Sequence, residues 1–253
     1  MSFIKYSLNF LLLATLCKAF PEEVQKCHFG DEKCLVDSMN YVIKHYRKGI
    51  PEIGVKPIDV VDIADLNLVG HAITSTWINI NLTNQINYGF ENTTITSVQG
   101  FNKDPTATHL NISGHIPVLI HKGFFKAVGQ IYLVKANLSG ISLSEFQNLK
   151  FTLKLKSIIE FRNNKRYLKI YELTPIVKIS RWVIWMEDLF TENSDMTIIV
   201  NRIFNDNWLE IWNEWEPTIL NSFSGVFLGL IKDVFDKVSY DDLFLPDSED
   251  KLT

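Results

Sequence analysis

From Asp206 to Val238 the chain keeps helical periodicity for about 33 residues, a rod of ~50 Å at 1.5 Å per residue. At about 100° per residue from Trp208, the side chains of Trp212, Ile219, Phe223, Val226, Leu230 and Val234 fall in one arc, with Leu209 and Phe227 at its margin. Ile211 and Trp215 widen the arc on one side, and Leu220, Ile231 and Val238 on the other, to roughly 200°. A helix on a protein surface needs far less, so the rest of the chain must wrap this one. Pro217 interrupts the run by denying the Asn213 carbonyl its partner, which predicts a kink or two abutting helices. Glu216 is the one acid inside the apolar arc, and the kink is expected to turn it outward. Gly225 and Gly229 on one side of the rod either admit a close strand or only weaken the helix; the sequence leaves both open.

The wrapping layer is a sheet. Between about Val55 and Asn201 the apolar period shortens to two, in segments separated by Gly, Asn, Asp or Pro, the pattern of antiparallel strands. In Lys150 to Phe161 the residues Phe151, Leu153, Leu155, Ile159 and Phe161 share a face opposite Lys150, Thr152, Lys154, Lys156 and Glu160. In His109 to Ile120 the residues Leu110, Ile112, Ile116 and Val118 point inward, and His109, Asn111, Ser113 and His115 outward. Strands this long twist and curl, and a curled sheet with one apolar face needs an elongated object to hold. The expected fold is therefore α+β, a long C-terminal helix wrapped by a strongly curved antiparallel sheet. Such a pair of layers rarely fills its interior, and apolar clefts between layers lodge apolar ligands. The expected lining is Leu110, Ile112, Ile116, Val118, Phe151, Leu153 and Leu155 from strands, with Trp208, Trp212, Ile219, Phe223, Val226, Phe227 and Leu230 from the helix.

The N-terminus speaks to compartment. Met1 to Lys5 carries one positive charge and Phe10 to Leu16 is uninterruptedly apolar, as in a secretory leader cleaved after Ala19; residues 20–253 are then one domain. The apolar run is too short for a bilayer span, which argues against stable membrane insertion. Cys17 leaves with the leader, and Cys27 and Cys34 remain as a pair to be bridged. The acceptor sequons at Asn81, Asn92, Asn111 and Asn137 agree with secretion. Next, Leu35 to Lys48 reads as an amphipathic helix stopped by Gly49-Ile-Pro51. Loss of Lys5 and Lys18 moves the formal charge from −4 to about −6, which excludes nucleic acid as a partner.

Catalytic apparatus is not in view. The sequence has no G-x-S-x-G elbow, no G-x-G-x-x-G turn, no Walker sequence and no H-E-x-x-H. His28, His45, His71, His109, His115 and His121 lack metal-ligand spacing, so neither a metal nor a cofactor is expected. A non-enzymatic carrier is the first reading, and an extracellular interaction protein with a filled core is the alternative. Enclosing ~300 Å² of ligand surface at ~25 cal/mol per Å² gives ~7 kcal/mol before association costs, enough for broad, modest affinity.

The blocks Cys27 to Cys34, Gly49-Ile-Pro51-Glu-Ile-Gly54 and Lys56-Pro57, with Asn201-Arg-Ile-Phe-Asn205-Asp-Asn207-Trp208 and Tyr240-Asp-Asp-Leu-Phe244, resemble the takeout and juvenile-hormone-binding family of insect secreted carriers. Ile116-Pro117, Gly123-Phe124 and Gly129 fit its central hairpin, and a single cysteine pair favours the takeout branch. Phe124, Lys135, Leu138 and Asp188 depart from residues common in the family. The resemblance implies a TULIP-like tubular lipid-binding fold with an apolar tunnel and a terpenoid or fatty-acid-like ligand. It further implies a monomer in haemolymph or a similar fluid, with an unidentified receptor and links to feeding, circadian output or chemosensation.

Overall fold

The computed structural model describes residues 20–73, 76–131, 134–190 and 193–246, with the side chains of 71–73, 76, 131 and 134–136 left out of the account. The expected leader, Met1 to Ala19, and the tail beyond Pro246 lie outside the described residues. The fold is α+β, as the sequence predicts. One antiparallel sheet contains β1 (Val61–Ile63), β2 (Leu66–Ile73), β3 (Thr76–Tyr88), β4 (Thr94–Gln99), β5 (Leu110–Ile131), β6 (Val134–Arg162), β7 (Lys165–Lys178) and β8 (Arg181–Met186). Three helices accompany it: α1 (Glu32–His45), α2 (Ser194–Asp206) and α3 (Trp208–Lys237).

The long hairpin β5–β6, of 22 and 29 residues, is its spine. It stays in one register from Leu110 opposite Leu155 to Ile131 opposite Val134. Its outer edges change partners midway. Along β5, β3 pairs with Ile120 to Ile131 and β4 with Asn111 to His115. Along β6, β8 pairs with Ser142 to Gln147 and β7 with Lys150 to Arg162. Both changes flank the row where Pro117 faces Asn148. Proline has no N–H for the ladder, and Asn148 adopts φ 50°, a left-handed conformation that asparagine tolerates. Beside this row Gly89, at φ 108°, turns β3 into the 3-10 turn Phe90–Asn92; a side chain at Gly89 would strike the Val118 carbonyl.

The inward face changes parity across that row. On one side Leu110, Ile112 and Ile116 are buried with Leu149, Phe151, Leu153 and Leu155; on the other, Leu119, Phe125 and Ala127 are buried with Phe146. Val118, expected inward, is therefore 38% exposed: strict period two cannot be carried through a proline whose partner is left-handed. Phe161 departs as well. Beyond a bulge at Lys156 and Ser157 it is 74% exposed instead of sharing the face of Phe151.

The helices depart from expectation in their breaks. The chain reads as strand to about Asn201, yet Ser194 to Asp206 is helix, started by the Asn193 side chain accepting from the Met196 N–H at 3.1 Å. Its β-branched run Ile198, Ile199 and Val200 imitates a strand; Ile198 and Ile199 stay exposed. The rod breaks at Asn207, whose Nδ2 donates back to the Ile203 carbonyl at 2.8 Å, and α3 runs through Pro217 as one element. Asn213 and Pro217 are both exposed, so water can satisfy the freed carbonyl, and the proline does not split the rod into two helices. Trp212, Trp215, Ile219, Phe223, Val226, Phe227 and Phe235 of α3 are buried, its flanks are half-covered, and Leu209 is exposed. By length and composition α3 could cross a membrane, but here its apolar residues are built into the core cluster with the sheet. An added Cβ at Gly225 or Gly229 meets nothing within 4 Å, which removes the close-strand reading and leaves the entropic cost.

Asparagine amides finish two strand edges. Asn40 of α1 receives the Ile95 N–H at 2.8 Å and donates to the Ile95 carbonyl at 2.9 Å. On β8, Asn201 binds the N–H and carbonyl of Met186, each at 2.8 Å, and Asn205 binds those of Ile184 at 3.0 and 2.6 Å. A primary amide has the donor and acceptor of a peptide group, so each helix completes a strand edge as another strand would, and the edge is closed to further pairing. Asn201→Ala would orphan the Met186 N–H and carbonyl in a buried place. The expected cost is about 2–4 kcal/mol, read as a lowered urea midpoint at unchanged m-value.

Candidate functional site

A cavity of about 300 Å³ lies between the sheet and the C-terminal half of α3, at the low end of the size range for ligand clefts. Three groups of residues build it. Ile95, Ile112, Phe151 and Leu153 come from β4, β5 and β6, on the Leu110 side of the Pro117 row. Phe227, Leu230, Ile231, Val234 and Phe235 come from α3. The third wall is the N-terminal arm with α1: Phe20, Val24, Cys27, Leu35, Met39, Val42 and Ile43. Ile53, Val55, Ile58, Phe90, Phe101, Leu243 and Phe244 close the remaining gaps. Gly114 makes room for one ring of the wall, because a Cβ there would sit 2.5 Å from Phe151 Cζ.

Among the described residues Gln25, Ser38 and Thr93 are the polar members of this lining, and no Asp, Glu, Lys, Arg or His borders it. The described residues hold no cluster of potential metal ligands either. The space can take up an uncharged apolar body.

The expected lining residues divide along α3. Ile112, Phe151, Leu153, Phe227 and Leu230 border the cavity. Leu110, Ile116, Leu155 and Val226 are packed into the core around it. Ile219 and Phe223 border a second, 20 Å³ cavity on the far side of the Pro117 row, with Leu66, Leu68, Leu82, His121, Ser144, Phe146, Trp182 and Ser222. Trp212 packs edge-on against Phe146 and Trp182, at 6.1 and 5.9 Å between ring centroids. Half-buried Trp208 lies 5.6 Å from the Arg181 guanidinium, and Val118 faces outward. Glu216 is half-buried and borders neither cavity.

The arm and α1 are absent from the expected lining. Their signal was legible in Leu35, Met39, Val42 and Ile43, which fall on one helical face. None of the residues of α1 is fully buried, because that face looks onto the cavity. The wall is fastened at its start. Cys27 and Cys34 are bridged, with 5.7 Å between Cα atoms. Asp31 caps α1 by accepting from the Cys34 N–H at 3.0 Å. The Leu245 N–H donates to the Cys27 carbonyl at 2.9 Å, tying the arm to the chain beyond α3. Tyr240, fully buried, donates its hydroxyl to the Asn102 carbonyl at 2.8 Å, and burial pushes its pKa above the usual phenol range.

Of the four departures from the family pattern, Phe124 is 55% exposed and forms no cavity wall. Asp188 has φ 55°, a conformation that Asn and Asp both tolerate, so the exchange is conformationally neutral.

A family model described as haemolymph juvenile hormone binding protein matches residues 7–245. The chain is 22% identical over 234 residues to the circadian clock-controlled protein daywake of Drosophila yakuba, spanning 90% of this chain and 89% of that protein. The Drosophila melanogaster protein of the same name is 19% identical over 232 residues, with the same coverage of 90% and 89%. The crystal structure of Takeout 1 from Epiphyas postvittana has the same fold, with a TM-score of 0.71 and 18% identity, across 85% of this chain and 97% of that one.

His121 is 8% exposed, and burial pushes its imidazole down to about 4. The unfolded chain takes up this proton near pH 6.5 and the folded chain only near 4, so the contribution is complete above pH 6.5 and is lost as pH falls toward 4. His121→Leu is expected to flatten the stability profile between those limits in urea titrations at stepped pH.

Proposed function

Because this chain belongs to the haemolymph juvenile hormone binding protein family, we propose that it is a secreted carrier that encloses an elongated apolar molecule beside α3. The observation that carries this reading is the 300 Å³ cavity whose described walls hold no charged side chain. Burial of apolar surface drives the binding, and the uncharged walls spare the ligand any desolvated charge. A juvenile-hormone-like terpenoid or a fatty-acid-like lipid fits such a space. The likeness to proteins named circadian clock-controlled supports a place in rhythmic output, feeding or chemosensation.

In this reading Met1 to Ala19 is the leader and the rest one extracellular domain acting as a monomer. Asn81, Asn92 and Asn137 are exposed sequon residues, whereas Asn111 is half-buried with its Oδ1 shielded from solvent. Glycopeptide mapping of secreted protein should find sugar at the first three positions and none at Asn111.

Direct binding tests the reading. An apolar fluorescent dye should bind one per chain and be displaced by sesquiterpenoid esters. Leu230→Trp, which places an indole in the cavity, should weaken the dye at least about tenfold while the protein stays folded. A dye that does not bind the wild type, or binds Leu230→Trp equally well, would refute the carrier.

A further inference from the structure

The 20 Å³ cavity differs in kind from the larger one. Across β3, β5 and β6, Asn87, His121 and Ser144 are register partners, which puts their side chains side by side on the inner face. Asn87 is fully buried and His121 nearly so. Both side-chain polar atoms of Asn87, Nε2 of His121 and Nε1 of Trp182 are buried with no hydrogen-bond partner among the described residues. His121, Trp182, Ser144 and Ser222 border the cavity itself, whose volume admits about one small polar group. Buried polar groups are kept where something pairs with them.

Aromatic rings stand between this row and the larger cavity. Phe223 borders the small cavity and meets Phe227, a wall of the large one, at 6.5 Å between centroids; Phe146 meets Phe223 at 5.4 Å. From Phe223 to Phe235 the helix advances ~18 Å, so the two cavities lie in line along α3.

We propose that the row around His121 seats the uncharged polar end of the carried molecule, a hydroxyl, ester or ketone oxygen, while its apolar chain passes Phe223 into the larger cavity. The donors and acceptors there are an imidazole, an indole N–H and two serine hydroxyls. Among the described residues no Lys, Arg, Asp or Glu borders either cavity, so a carboxylate would be buried without a counter-charge and is disfavoured. The seat therefore selects alcohols and esters over free fatty acids. It rests on the carrier reading and narrows its ligand.

Displacement of a neutral apolar dye by dodecanol, dodecane and dodecanoate at pH 7.5 tests the seat on the full secreted chain. Wild type should bind dodecanol roughly tenfold more tightly than either of the others, the worth of about one hydrogen bond. His121→Leu should abolish that preference, and Ser144→Ala should reduce it in part, each variant first checked for cooperative unfolding. A dodecanol preference that survives in both variants, or dodecanoate binding best, overturns the seat. Dye binding with no displacement by dodecanol also overturns it while leaving the carrier standing, and failure of the dye itself removes both.

Discussion

The breadth of apolar surface on α3 governs the rest of the molecule. A face running from Trp212 to Phe235 is wider and longer than a flat strand layer can cover. The sheet meets it by turning over at one row, where Pro117 faces Asn148 and the inward parity of both spine strands changes. On one side of the row the side chains of β8 and β6 close tightly on Trp212, Trp215 and Phe223 through stacked and edge-on rings. On the other side Phe151 of β6 and Leu173 of β7 still touch α3, but a space is left beside these contacts, and α1 with the N-terminal arm forms its third wall.

The helices serve this arrangement in two ways. α1 and α2 lend amides to two strand edges, Asn40 on β4 and Asn201 with Asn205 on β8, which closes those edges to another chain. Their apolar residues then go where the sheet leaves room. Those of α1 border the cavity, and several of α2, among them Ile199 and Ile203, remain at the surface.

Much of this was legible in the residues. The α3 stripe, the alternation in β5 and β6 and the α+β class follow from period alone. The failures share one cause: a local signal continued past a point where tertiary contacts override it. Period two breaks at Pro117 before Val118 and at a bulge before Phe161, and the β-branched run of α2 conceals a helix whose asparagines need a strand edge to make sense. The apolar stripe predicts a lining along the whole of α3, yet the large cavity lies against its C-terminal half. Sequence periodicity shows which side chains turn inward, but whether they meet others or a space depends on distances between elements far apart in the chain. His121 and Asn87 could not be placed for the same reason, since their neighbourhood arises only from the pairing of β3, β5 and β6.

A carrier of this build must hold a molecule inside the chain, between the sheet and α3. Native mass spectrometry of the protein secreted by insect cells reads this directly. It should show one uncharged organic adduct per chain, released by solvent extraction and regained on exposure to a lipid extract. A bare chain that stays bare after that exposure would contradict it.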